Sequence, residues 1–101
     1  MSDVFYSYAF QALGNPIRRE ILAQLQLRPI SVVEITENVE GMIGGPGCSR
    51  SSISQHLQML LQAELVSYQA KGSSNIYQLR PQTLYRLRDY VDELLQVAEP
   101  E

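Results

Sequence analysis

A single cysteine, a single histidine and no apolar run near the length of a membrane span mark this 101-residue chain. One cysteine excludes an intrachain disulfide, which fits a reducing compartment. One Cys and one His fall short of the roughly four ligands a zinc site requires, so no metal and no cofactor is expected. They also leave no histidine to spare for a nucleophilic triad. Gly44-Gly45-Pro46-Gly47 lacks the Lys-Ser/Thr ending and the preceding buried strand of a phosphate-cradling loop. An enzyme is therefore not expected. No stretch approaches the roughly 18 apolar residues of a transmembrane helix, and Met1-Ser2-Asp3 does not begin a basic, apolar signal peptide. The expected location is the cytoplasm. The length allows one domain with a modest core and little surplus for a separate catalytic unit.

Positive charge is also scarce overall, with a net charge of -3. Its distribution says more. Residues 1–40 carry three arginines against five acids, and residues 89–101 carry five acids and no base. Between them, residues 41–88 carry five Lys or Arg against Glu64 alone. A polyanionic partner would be met by that middle segment. Its surplus is small, so one copy should bind a duplex weakly and two copies on two half-sites would be the remedy.

What is present there is organised around Ser49–Leu61. Ser49 can cap a helix in which Ile53, Leu57, Leu60 and Leu61 recur at helical spacing and form one apolar stripe. The opposite face carries Arg50, Ser51, Ser52, Ser54, Gln55, His56 and Gln58, with no carboxylate before Glu64. Such side chains can donate to phosphates and read base edges in a major groove, where a carboxylate would be repelled. An ordinary amphipathic helix with a solvated face would carry similar residues. The neighbouring segment argues against that: Leu65–Ala70 and Asn75–Leu79 read as two strands joined by Lys71-Gly72-Ser73-Ser74, a hairpin with one positive charge at its tip. A polar helix followed by a short basic hairpin is the outline of a winged helix-turn-helix. Ser51, Ser52, Ser54, Gln55 and Gln58 are the candidates for base edges. Arg50, His56, Lys71 and Ser73 are the candidates for phosphate.

The flanks fit one architecture. Val4, Phe5, Tyr8, Ala9, Ala12 and Leu13 follow helical spacing. With Tyr6 and Phe10 that first helix is apolar nearly all round, so it needs a partner besides its own core. Asn15-Pro16 reads as an N-cap and first-turn proline for a helix with Ile17, Ile21, Leu22 and Leu25 inward. Ser31-Val32-Val33-Glu34 fits a capping box for a third helix over about 32–38. Glu40–Cys48, with four glycines and a proline in nine residues, reads as a loop. Pro81 can open a last helix whose stripe of Leu84, Leu87, Val91, Leu94, Leu95 and Ala98 runs to about residue 98. The stripe exceeds what a small wing domain covers by itself, so the helices over about 4–13 and 81–98 are expected to pair two copies.

Ser54-Gln55-His56-Leu57, Leu60, Ala63-Glu64-Leu65-Val66, Gly72 and Tyr77-Gln78-Leu79, preceded by Ala12–Leu22, resemble the ArsR/SmtB-type family of dimeric repressors. The resemblance covers most of the chain. It implies a mainly α fold with a two-stranded β-wing, a DNA-binding unit over about 31–79, a homodimer through the N- and C-terminal helices, and repression at an inverted-repeat operator on double-stranded DNA. The chain departs from that family at Glu40–Cys48, where the usual tight turn is lengthened by about seven residues. Such a surface insertion costs little, because closure entropy grows with the logarithm of length. The family's metal sites have no counterpart either. Val33, Glu34, Ile35 and Thr36 lack sulfur, and Asp89, Asp92 and Glu93 stand without histidine. A small-molecule or redox effector stays open. Cys48, beside a helix start and two residues from Arg50, could be held as a thiolate and oxidised. Its alternative reading is a small loop residue, since no resolving cysteine exists. A protein-interaction module on the same winged fold, without DNA binding, is the second reading of the whole chain.

Overall fold

The computed structural model describes residues 3–42, 49–98 and 100. Cys48 and most of the glycine-rich stretch lie outside the described residues. The chain runs α1 (Asp3–Leu13), α2 (Pro16–Leu27), β1 (Ile30–Ser31), α3 (Val32–Met42), α4 (Arg50–Gln62), β2 (Val66–Lys71), β3 (Ser74–Leu79) and α5 (Pro81–Leu94).

Local signals start these helices. The Asn15 side-chain oxygen accepts from the N–H of Ile17 at 2.9 Å and of Arg18 at 3.2 Å, with Pro16 in the first turn of α2. At α3 the forward half of the capping box forms, the Glu34 N–H donating to Ser31 Oγ at 3.2 Å. The Glu34 carboxylate turns to Arg28. α3 runs on through Glu40 and Gly41 to Met42, a turn past the expected end, because the fully buried Val39 anchors its last turn and one glycine costs a helix only about 1 kcal/mol.

Ile21, Ile35, Val39, Ile53, Leu57, Leu60, Leu65 and Val66 form the innermost layer, drawn from α2, α3, α4 and the entry to the wing. Burying each large aliphatic side chain is worth about 1.5 to 3 kcal/mol, so these contacts fix how α4 sits on α2 and α3. The wing contains the two strands read from the sequence, paired antiparallel from Val66↔Leu79 to Lys71↔Ser74. Gly72, with φ +61°, takes the first place of its two-residue turn, the position that favours glycine in a hairpin. A third strand, β1, adds Ile30↔Tyr77 and Ser31↔Ile76 to the other edge of β3. It ties the α2–α3 junction to the wing.

α1 and α5 pack through rings: Tyr6 and Tyr90 lie 4.6 Å apart, Phe10 and Tyr90 5.5 Å, and the Arg86 guanidinium lies 3.8 Å from the Phe5 centroid. Each such contact adds about 0.5 to 1.5 kcal/mol beyond its area. α5 ends at Leu94, one turn short of the extent its apolar stripe suggests. Leu95 caps it, donating to Val91 and Asp92 carbonyls at 3.1 Å. Asp92 and Glu93 in the last turn oppose the negative end of the helix dipole, and no base is there to offset them. Val4, Tyr8, Val91, Leu94 and Leu95 stay exposed.

α4 stops in a reciprocal pair of backbone bonds, Leu65 N–H to Leu60 carbonyl and Glu64 N–H to Leu61 carbonyl, both 3.0 Å. This stop puts Glu64 at φ +60°. An L side chain there costs about 1 to 2 kcal/mol. The turn persists because Leu60 and Leu65 are fully buried and the buried Thr83 hydroxyl donates to the Glu64 carbonyl. A β-branched residue at this φ is strained further, so Glu64→Val should lower stability in urea by about 1 to 2 kcal/mol while Glu64→Gly should not. Equal midpoints for the two variants would remove the left-handed turn as the stop for α4.

Candidate nucleic-acid interface

Ser49 caps α4 from extended backbone: its Oγ accepts from the Ser52 N–H at 3.2 Å, and its carbonyl accepts from the Ile53 N–H at 2.9 Å. With Ile53, Leu57 and Leu60 turned inward, the helix has one choice of outward face. Arg50, Ser51, Ser54, Gln55 and Gln58 are exposed on it, and Ser52 and His56 are half-buried at its margins. The Ser52 hydroxyl accepts from Ser49 Oγ at 3.1 Å and keeps its own hydrogen to donate. Lys71 and Ser73 are exposed at the wing tip, aimed by the Gly72 turn. These residues thus fall on two exposed elements, α4 and the wing tip. Cys48 lies outside the described residues.

The sequence reading missed one residue bearing on this face. Arg18, in the first turn of α2, is only 7% exposed, yet among the described residues no carboxylate pairs with it. Its Nε donates to the Ala12 carbonyl at 2.8 Å and one Nη to the Gln11 carbonyl at 2.9 Å. The other Nη reaches His56 Nδ1 and Met59 Sδ on α4, each at 3.2 Å. The carbonyls belong to the last turn of α1 and carry the negative end of the dipole; that of Gln11 also accepts from the Gly14 N–H at 3.0 Å. Arg19 takes the next carbonyl, Leu13, at 2.8 Å. Two bases at the start of α2 oppose that helix's own dipole, and serving the end of α1 is what makes them favourable. A signal existed: Arg18, Leu22 and Leu25 follow at i, i+4 and i+7, which puts the guanidinium on the buried face.

Arginine can only donate, so His56 Nδ1 must accept and the ring proton sits on Nε2. Burial, and then the Arg18 charge, hold the imidazole below its ordinary pKa. His56 is therefore an uncharged group on this face. An apolar cavity of about 360 Å³ opens elsewhere, between Leu13, Leu22, Ala23, Leu79 and Leu84, and none of its walls belongs to α4. Among the described residues no three His, Cys, Asp or Glu side chains converge as metal ligands, and no helix is long and apolar enough to cross a membrane.

Because the fold depresses the His56 pKa, the unfolded chain takes up the proton first as the pH falls. The stability tied to the neutral ring is complete above the ordinary value of 6.5 and is lost as pH falls through the folded value. Urea midpoints followed from about pH 8 to about pH 5 should therefore drop more steeply for the wild type than for His56→Gln. Parallel curves would mean that the ring is not kept neutral by the fold.

The helix-turn-helix domain family model matches residues 13–69. Among curated proteins the chain is 36% identical over 84 residues to the HTH-type transcriptional regulator Rv2034 of Mycobacterium tuberculosis, covering 83% of this chain and 72% of that one. It is 35% identical over 75 residues to the transcriptional repressor SdpR of Bacillus subtilis, covering 74% and 76%. Among solved structures, the ArsR family transcriptional regulator RHA00566 superimposes with a TM-score of 0.80 at 18% identity, over 95% of this chain and 92% of that one. The homodimeric winged helix-turn-helix DNA-binding domain Mb0332 of Mycobacterium bovis does so with a TM-score of 0.68 at 23% identity, over 100% and 96%. At those identities the two structures speak for the fold, and the two curated relatives and the family model carry the assignment. A purely protein-binding module is thereby set aside. The chain belongs to the ArsR-type winged helix-turn-helix family, whose members bind DNA to regulate transcription.

Proposed function

We propose that this protein is a repressor that binds an inverted-repeat operator as a homodimer, with α4 of each copy in a major groove and each wing tip on the flanking backbone. The observation that carries the reading is the outward face of α4: from Arg50 to Gln58 five exposed donors and amides and not one carboxylate. Ser51, Ser54, Gln55 and Gln58 read base edges, with Ser52 beside them, while Arg50, Lys71 and Ser73 grip phosphate. His56 joins them as a neutral donor, and adds no charge. The repressor role is supported by the likeness to SdpR.

Two observations support a second copy. Positive charge on one binding face is slight, so a single copy gains little from counterion release. Val4 and Tyr8 on α1, Val91 and Leu94 on α5 and Leu95 at its C-cap are exposed apolar residues of helices already packed against each other. Covering them against their equivalents gives an isologous pair, and Mb0332, with the same fold, is a homodimer. A DNA partner supports a cytoplasmic location. Binding and release of DNA need no catalytic group, and the reading includes none.

The test separates reading from gripping. On a duplex selected by the wild type from a random pool, Gln55→Ala should lose about 1 to 3 kcal/mol while its binding to random duplex stays unchanged. Lys71→Ala should weaken both duplexes alike and flatten the dependence of log K on log salt by about one. Fluorescence anisotropy at several salt concentrations measures both. Equal loss on selected and random duplexes for Gln55→Ala would refute its assignment to a base edge.

A further inference from the structure

We infer that Arg18, which touches no DNA, is a positioning residue for recognition: it anchors His56 Nδ1 and so presents His56 Nε2–H outward from α4 as a fixed, uncharged donor to a DNA acceptor. The inference rests on the DNA-binding reading above. Its geometry is independent of that reading. Arg18 has its own position fixed twice over, by the Ala12 carbonyl at 2.8 Å and the Gln11 carbonyl at 2.9 Å, before it reaches His56. A guanidinium clamped in this way turns its other Nη, with two N–H groups, toward α4, and the imidazole nitrogen lies 3.2 Å from it. The same Nη also meets Met59 Sδ, one turn further along α4, so the contact fixes the rotation of the helix face as well as the ring.

The consequence for the ring is chemical. With Nδ1 occupied as an acceptor, Nε2 carries the hydrogen. Nε2 has no hydrogen-bond partner among the described residues and is not among their buried polar atoms left without one, so on this half-buried ring it keeps contact with solvent. The charged group bearing on the ring is Arg18 from α2; α1 contributes the two carbonyls that hold Arg18, and α4 the Met59 thioether. A second positive charge on the ring would face the guanidinium directly. His56 thus donates without displacing counterions, unlike Arg50 or Lys71. The matching acceptor is a purine N7 or O6, or a phosphate oxygen.

Three arms test this on the full-length protein and the selected duplex. In the free protein, ¹⁵N-histidine NMR should show one neutral ring protonated at Nε2. In Arg18→Met its titration should move toward 6.5, the ordinary value, and the fixed tautomer should give way to exchange. In binding, His56→Ala and Arg18→Met should each lose roughly tenfold on the selected duplex with an unchanged salt slope, and Arg18→Lys should recover part of the loss. With 7-deazapurine substitutions, a loss at one position in the wild type but not in His56→Ala identifies a base acceptor. The same pattern with a methylphosphonate identifies phosphate. A wild type that binds no duplex in a salt-dependent way overturns the DNA-binding reading and this inference with it. Full retention of selected-duplex affinity by His56→Ala, a variant that leaves Arg18 and its carbonyls intact, overturns this inference alone. So does an Nδ1-protonated ring.

Discussion

A buried guanidinium held by carbonyl oxygens is the constraint on which the arrangement of this molecule turns. Arg18 stays charged and nearly out of reach of water because the last turn of α1 offers it carbonyl oxygens at the negative end of a helix dipole. In return the end of α1 is closed without a base of its own in that turn. The other Nη falls on α4, against His56 and Met59. Three helices are thereby referenced to one side chain: α1, which carries apolar residues suited to a second copy; α2, which supplies the arginine; and α4, which carries the polar face. Removing one partner of such a buried charge commonly costs about 3 to 5 kcal/mol, more than a surface pair contributes.

The surrounding structure serves the same presentation. Ile53, Leu57 and Leu60 fix which side of α4 looks outward, and the left-handed turn at Glu64 ends the helix against the start of β2. Thr83 at the head of α5 donates to that turn, and the Arg80 N–H donates to the Leu65 carbonyl at 2.9 Å. The end of α4, the wing and the last helix therefore meet at residues 64–66. β1 adds a tie from the α2–α3 junction to the wing's inner edge. Rigid support of this kind matters where a few hydrogen bonds to base edges decide specificity.

Much of this was legible because the signals are local. Asn15-Pro16, Ser31 and Ser49 act as caps within three residues of themselves, and the stripe in α4 needs only a count of helical turns. The hairpin followed from two β-rich runs around Gly72. What stayed hidden depends on distant partners. The Arg18–His56 contact joins residues 38 apart in sequence. The two-residue strand β1 exists only because Tyr77 and Ile76 lie opposite it. The early end of α5 reflects Asp92 and Glu93 outweighing an apolar stripe that continues past them, a competition that pattern reading settles in favour of the stripe.

The proposed seating of two α4 helices on one duplex would leave a geometric signature that can be measured directly. Hydroxyl-radical and methylation footprinting of the wild-type protein on a duplex it selects should give two protected major-groove segments centred about one helical turn, roughly 10 base pairs, apart, with weaker backbone protection outside them from the wings. One protected segment, or protection confined to the minor groove, would contradict it.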